Sequence, residues 1–414
     1  MATKPARAPG GIAPATGSAI ERYSRSRRSE LAIWWREIDR SLLLLVLVLM
    51  TMGAAAVAAA SPASARRLST AETALDDLHF LYIHLRWQVL GLAVLLGTSM
   101  LTRELARKLG ILLAGAMILA LVFVPVIGTE VNGARRWINL GMSFQPSEFL
   151  KPGYAILLAW ILSWRVRDPS LPVIVYTAAI LAIIAVLLML QPNFGATILY
   201  SGVWFVLVLL SGISLKRIFG VVAASLVGVV AAYLLYGNAR NRIDAFFGGG
   251  TAFDQVDLAQ RTLLNGGWSG TGFWLGQRKF ALPEAHTDYI FSVIGEEFGL
   301  LACAIIVMVY LALLVRVLIR LIQEEDLFCV LAGAGLATLF GGQAFINILV
   351  NLQLFPSKGM TLPLISYGGS STIALCFTIG LLLAITRRNP FIEPHRFSLR
   401  DVAAGDREKT NERG

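Results

Sequence analysis

Ten stretches of this chain are each apolar over about the length that crosses a bilayer, and this governs what it can fold into. A spanning helix takes about 20 apolar residues. That rule places helices near 41–60, 79–101, 109–127, 148–164, 171–190, 195–212, 217–236, 289–316, 327–351 and 367–386. In lipid every backbone polar group must be satisfied internally, so runs of this length are helices. The bulk numbers agree: 56% of the 414 residues are hydrophobic, only 15% are charged, and mean hydropathy is +0.67. A soluble domain carries about 25% charged residues. The expected fold is an all-α polytopic membrane protein.

An even number of spans puts both termini on one side, and charge decides which. Arg36 and Arg40, then Arg103, Arg107 and Lys108, then Arg165 and Arg167 fall in alternate connections. Lys216 and Arg217, Arg316 and Arg320, and Arg387 and Arg388 continue the alternation. The positive-inside rule makes these loops and both termini cytoplasmic. Connections 61–78, 128–147, 191–194, 237–288 and 352–366 then face outward, the large one lying between the seventh and eighth spans. The net charge of +10 would point to nucleic acid in a soluble protein. Here retained basic loops and contact with anionic membrane lipid account for it, and no nucleic-acid partner is expected.

The ends are simpler. Residues 1–40 read as a disordered basic tail followed by an amphipathic lead-in over 31–40, with Trp34 and Trp35 as interfacial anchors. Some forty polar residues precede the first apolar run, so no cleavable signal peptide is expected. The membrane domain then covers 41–388, and 389–414 form a second cytoplasmic tail. Cys303, Cys329 and Cys376 all lie in apolar runs, which excludes a loop disulfide framework and shows no metal-ligand spacing. No internal repeat is visible, so the inverted-repeat pattern of many transporters is missing.

The outward loops present an anomaly. They should be poor in Lys and Arg, yet they carry Arg135, Arg136, Arg240, Arg242, Arg261, Arg278, Lys279 and Lys358. Lys151 stands in the first turn of the fourth helix, where a cation opposes the macrodipole. Solvated loop charge explains any one of them; a fixed anion nearby, most simply a phosphate-bearing substrate, explains the group. In the same loop Ser147 suits a cap and Glu148 a helix first turn, which is a structural account of those two. Gln191-Pro192-Asn193-Phe194-Gly195 reads first as a plain turn.

The densest chemistry lies between Gly266 and Gly299, GGWSGTGFWLGQRKFALPEAHTDYIFSVIGEEFG. His286, Thr287 and Asp288 stand where this loop meets the eighth span, with Glu284 just before them. Glu296 and Glu297 follow about 12 Å deeper. Carboxylates at the lip of a membrane segment cost free energy and are functional candidates. Asp288 can also be read as a cap for the eighth helix, and the two glutamates as partners of other helices. In the ninth span Gln343, Asn347 and Asn351 put three amides on one face. They either bond between helices, at about 0.6–2 kcal/mol each, or line a polar cavity. After them, Ser366, Gly368, Gly369, Ser370 and Ser371 open the tenth helix, permitting close packing or an anion at its N-terminus.

Four ordered motifs carry a resemblance: ARRWINLG…QPSEFLK (134–151), QPNFG (191–195), LPEAHTDYIFSVIGEEFG (282–299) and QAFINILVNL…PSKGMTLPLISYGGSS (343–371). Together they resemble the SEDS (shape, elongation, division and sporulation) proteins of bacteria across about 40–390. PSKGMTLP is more similar to the division branch, FtsW, than to the elongation branch, RodA. The resemblance implies ten transmembrane helices and glycosyltransfer from lipid II at the outer face of the cytoplasmic membrane, at the division septum. It implies a class B penicillin-binding protein as partner, alongside other division proteins. It makes Asp288 the catalytic residue and Arg136 and Lys151 functional positions. Three departures stand out: Asn193 where the family usually has Asp, Gln353 for Gly and Ser357 for Thr. The first removes an acid or metal role from that turn.

Elementary chemistry agrees with the resemblance. Lipid II is a sugar on a polyprenyl diphosphate, and cations that tighten on the leaving diphosphate lower the barrier. Arg136 and Lys151, with Arg242, Lys279 and Lys358, are the candidates; Glu148, Glu284, His286, Ser366 and Ser370 complete the substrate site. Asp288 is the best-placed base for the attacking hydroxyl. No cofactor is dictated, although a divalent cation, Mg or Mn, suits diphosphate chemistry. A lipid II flippase or transporter, a non-catalytic division scaffold, and a RodA-like role in elongation in place of division are the alternative functions.

Overall fold

The computed structural model describes residues 30–70, 74–131, 134–139, 143–212, 252–356 and 359–388, with scattered positions between 220 and 244. The chain divides into two compact units. The smaller comprises residues 1–38 and 388–414. Its described part is helix α1 (Glu30–Glu37), where Trp34 and Trp35 lie together with ring centroids 5.8 Å apart, and the Arg388 N–H donates to the Glu37 carbonyl at 3.4 Å.

The larger unit, 39–387, is the membrane domain. It begins with α2 (Arg40–Leu68), α3 (His79–Ser99) and α4 (Arg103–Ile127). Short strands β1 (Thr129–Val131), β2 (Ala134–Asn139) and β3 (Ser143–Phe144) lead to α5 (Pro146–Ser163), α6 (Val173–Leu190) and α7 (Phe194–Leu210). Then come α8 (Ala252–Asn265), α9 (Ile290–Ile322), α10 (Leu327–Asn351) and α11 (Gly369–Ile385). Among the described residues, six helices, α2, α3, α4, α6, α9 and α10, are long and apolar enough to cross a membrane, and α7 and α11 are shorter apolar helices. α5 matches the expected fourth span. The expected seventh, 217–236, falls largely outside the described residues. Exposed Leu112, Val126, Val186, Ile305 and Met308 are what a lipid-facing surface requires. This is a polytopic helical membrane protein.

Small residues set the packing of α11 on α3. A Cβ on Gly91 would reach 2.8 Å from Cys376 Sγ, and one on Gly369 would stand 2.9 Å from the Trp87 ring. Gly369, at the opening of the tenth predicted span, therefore serves close approach. At the other end of the bundle, buried Asp39 accepts from Leu42 N at 3.1 Å as the cap of α2 and receives Arg316 and Arg320 of α9 at 2.8 and 2.7 Å.

Three features depart from the sequence expectation. The 128–147 connection forms a small antiparallel sheet, ordered β1-β2-β3, with Glu130 opposite Arg135 and Ile138 opposite Phe144. The 237–288 connection contains α8, whose Val256, Ala259 and Leu263 are buried at helical spacing. Finally, α9 is broken at Gly299 (φ 84°). There the carbonyls of Glu296 and Glu297 accept from Thr271 N at 2.8 Å and Gly272 N at 3.1 Å, while Leu300 N donates to Gly267 at 2.9 Å. A break at membrane depth persists only where protein re-satisfies the freed groups, and the glycine-rich loop does so.

Candidate functional site

β2 alternates its side chains, which separates two adjacent arginines. Arg135 meets exposed Glu130 at 3.3 Å. Arg136 turns the other way and donates Nε to the Gln191 carbonyl at 3.0 Å and Nη2 to the Pro192 carbonyl. Those carbonyls lie just past α6, where the last acceptors of a helix are unpaired and the dipole is negative. The QPNFG turn is thus the seat of Arg136, a role its reading as a plain turn missed. Asn193 caps α7 through Ala196 N at 3.4 Å.

The 282–289 segment rests on a core in which Ala59 and Ala60 of α2, Val256 and Ala259 of α8, Val293 of α9 and Val350 of α10 enclose Leu282, Ala285 and Tyr289. Its three consecutive carbonyls are all taken. His286 O accepts from Tyr367 N at 2.9 Å, and Thr287 O from Ser366 Oγ at 2.6 Å. Asp288 O accepts from Asn347 Nδ2 at 2.8 Å and Asn351 Nδ2 at 3.1 Å. Non-helical backbone beside a membrane span requires such partners. Asp288 itself is half-buried. It does not cap α9, whose N-cap is Tyr289 with no side-chain bond.

Asp288 and Arg136 converge on one point. A Cβ placed on Gly359 would lie 3.3 Å from Asp288 Oδ2 and 3.9 Å from Arg136 Nη1. A carboxylate and a guanidinium therefore both stand beside the exposed Gly359, where a side chain would crowd the carboxylate first. Sequence reading took Gly359 only as part of the PSKGMTLP motif; its place directly after Lys358 was the available signal.

The other candidates fall into three groups. Lys151 is buried and pairs with Glu148 at 2.6 Å and Gln343 Oε1 at 2.7 Å, and Gln343 Nε2 in turn donates to Thr361 O at 3.0 Å. The anion inferred to offset Lys151 is thus present in the protein: it is Glu148. His286 is buried, its Nδ1 2.7 Å from Ser64 Oγ, its ring 4.4 Å from Phe80 and 5.1 Å from Tyr367. Burial holds its pKa down at about 4, against the opposing pull of Glu284. Exposed Glu284 accepts from Thr287 Oγ1 at 2.9 Å, and half-buried Ser370 lies in the first turn of α11. Arg242 and Lys358 lie outside the described residues.

Two expectations need correction. Lys279 does not face a substrate space: it is fully buried, with Nζ 2.5 Å from Glu297 Oε1 and 2.9 Å from the Ala59 carbonyl. Of its partner glutamates, Glu297 meets the loop alone, while Glu296 reaches both the loop and Asn265 at the end of α8. Glu297 also accepts from Trp274 N, and Glu296 from Arg278 N at 2.8 Å, Lys279 N at 2.9 Å and Asn265 Nδ2 at 3.0 Å. Both carboxylates anchor the loop ahead of α9. Ser366 is likewise occupied, donating to Thr287 and accepting from Leu362 N at 2.8 Å, so it braces the site. Among the described residues no group of three or more His, Cys, Asp or Glu side chains gathers as a metal site.

Comparison with known proteins places the chain in a family. The family model for FtsW, RodA and SpoVE, described as "Cell cycle protein", matches residues 39–390. A Caulobacter vibrioides protein named "Probable peptidoglycan glycosyltransferase FtsW" is 34% identical over 90% of this chain and 95% of its own length. One of the same name from Hahella chejuensis is 36% identical over 74% of this chain and 81% of its own. Among solved structures, a chain from "Structural coordination of polymerization and crosslinking by a peptidoglycan synthase complex" has 30% identity and a TM-score of 0.68. It is covered over 97% of its length and covers 84% of this chain. The rod shape determining protein RodA of Thermus thermophilus gives 29% identity and a TM-score of 0.63, covering 87% of this chain and 99% of its own. The chain belongs to the SEDS family of FtsW, RodA and SpoVE cell cycle proteins.

Proposed function

We propose that this protein is a peptidoglycan glycosyltransferase that polymerises lipid II at the outer face of the cytoplasmic membrane during cell division. The observation that carries the mechanism is the convergence of Asp288 and Arg136 on the space beside Gly359. The acceptor's sugar hydroxyl attacks the anomeric carbon of the donor sugar. A new C–O bond forms there as the bond to the diphosphate breaks, and the polyprenyl diphosphate leaves with the electron pair. Asp288 takes the hydroxyl proton as general base, a role worth about 10²–10⁴-fold. Arg136, held by two carbonyls, meets the charge that develops on the diphosphate. Lys151 acts from the same side through Gln343 and Thr361, which brace the 359–361 stretch.

The solved relative comes from a peptidoglycan synthase complex that couples polymerization and crosslinking, which supports a crosslinking partner, read here as a class B penicillin-binding protein. The test is incubation of the purified protein, alone and with that partner, with lipid II, followed by glycan-chain analysis. Polymer is expected. Movement of lipid II across vesicles without polymer would support the flippase, and neither activity the scaffold.

A further inference from the structure

The Asp288 carbonyl receives more than satisfaction requires. It belongs to the residue before the N-cap of α9, and one donor would meet its need. It has two, Asn347 Nδ2 at 2.8 Å and Asn351 Nδ2 at 3.1 Å. A carbonyl with both lone pairs engaged is held in direction as well as place. That fixes the peptide on which the carboxylate is mounted.

Both amides are themselves oriented. Asn351 Oδ1 accepts from Ser292 Oγ at 2.7 Å and Ser292 N at 3.2 Å, turning its nitrogen toward Asp288. The Asn347 nitrogen also donates to the Met360 carbonyl at 2.7 Å. One amide therefore ties Asp288 to the residue next to Gly359, the space the carboxylate shares with Arg136. Both side chains are buried on α10, a helix braced on several sides, so the reference frame is rigid.

We propose that Asn351 and Asn347 are positioning residues for Asp288, setting its carboxylate against the space beside Gly359. The claim rests on Asp288 being the general base. A displaced base slows the chemical step and leaves substrate affinity alone, since the side-chain bonds of Asn347 and Asn351 run to Asp288, Met360, Ser292 and one another.

The test measures kcat and KM for lipid II on monodisperse full-length Asn351→Ala, Asn347→Ala and Asp288→Asn. A misplacement of about 1 Å costs on the order of 10²-fold. Each asparagine variant should therefore lose roughly 10–10²-fold in kcat with KM within about twofold of wild type. If Asn351→Ala does not fold, Asn347→Ala reads the same effect, because the Ser292 bonds remain. Lost turnover in Asp288→Asn with wild-type kcat in the asparagine variants overturns the positioning claim alone. A rise in KM at constant kcat also overturns it, by making the amides substrate contacts. Wild-type turnover in Asp288→Asn overturns the base assignment, and this inference with it.

Discussion

The Asp288 carboxylate and the Arg136 guanidinium flank one point, 3.3 and 3.9 Å from the position a Cβ would take on Gly359. The two residues are brought there by different means. Arg136 hangs from carbonyls at the end of α6, and Asp288 sits on a segment whose carbonyls are held by α10 and the approach to α11.

Filling that space should stop the reaction without unfolding the protein. In Gly359→Ala the methyl meets Asp288 Oδ2 at 3.3 Å, so the carboxylate must give slightly and a loss of a few fold in rate is expected. Gly359→Leu should abolish polymer, by about 10²-fold or more, with a thermal midpoint near wild type because the site is exposed. Glycan analysis beside a melting curve checks both. Full activity in the leucine variant would show that the space is unused.

Lys151→Ala should cost stability as well as activity. It leaves Glu148 largely buried with its partner gone, a loss of about 3–5 kcal/mol. The double variant Lys151→Met with Glu148→Gln removes both charges and should regain much of the thermal midpoint. If Lys151 serves the reaction, the double variant stays inactive. Recovery of both would reduce the pair to a structural role.

The ten-run pattern was readable because bilayer thickness dictates helix length, and nine of the ten runs meet a described helix. Asp288 stood out as a carboxylate at a membrane lip and Arg136 as a cation in a loop where the charge rule expects few, and both lie beside Gly359. Lys279 was misread for a physical reason. Its partner Glu297 lies 18 residues on, and the pairing depends on the loop folding back over the break at Gly299. Helix α8 was overlooked because its apolar residues are few, although Val256, Ala259 and Leu263 carry the period. The β2 strand was too short for alternation to stand out, and the seat of Arg136 is backbone, which no side-chain pattern reveals.

His286 supplies a pH prediction. Burial lowers its folded pKa to about 4 from the ordinary 6.5. The stability it contributes as a neutral ring is fully present above pH 6.5 and is lost as pH falls toward 4. The loss approaches about 3 kcal/mol at the acid end. Thermal midpoints in detergent should fall across that window, and less steeply in His286→Asn, which retains a partner for Ser64. Equal slopes for the two proteins would contradict the assignment.

Gln353 offers a stabilising change. It follows α10 with φ 60°, and its Nε2 is buried without a hydrogen-bond partner. Glycine adopts that conformation without the Cβ penalty of about 1–2 kcal/mol, and the orphan donor disappears with the side chain. Gln353→Gly should raise the thermal midpoint by a few degrees, with activity unchanged. A lowered midpoint would mean the glutamine side chain contributes packing that outweighs the strain.

The central claim is tested most directly by rates of glycan synthesis from lipid II in Asp288→Asn, in the presence of the proposed transpeptidase partner. The asparagine keeps the size and hydrogen-bonding reach of the carboxylate but cannot take up the hydroxyl proton. The backbone carbonyl held by Asn347 and Asn351 is untouched, so the segment should keep its place. The predicted result is a fall of roughly 10²–10⁴-fold in polymer formation, with lipid II binding retained. Glycan chains made at the wild-type rate would contradict it.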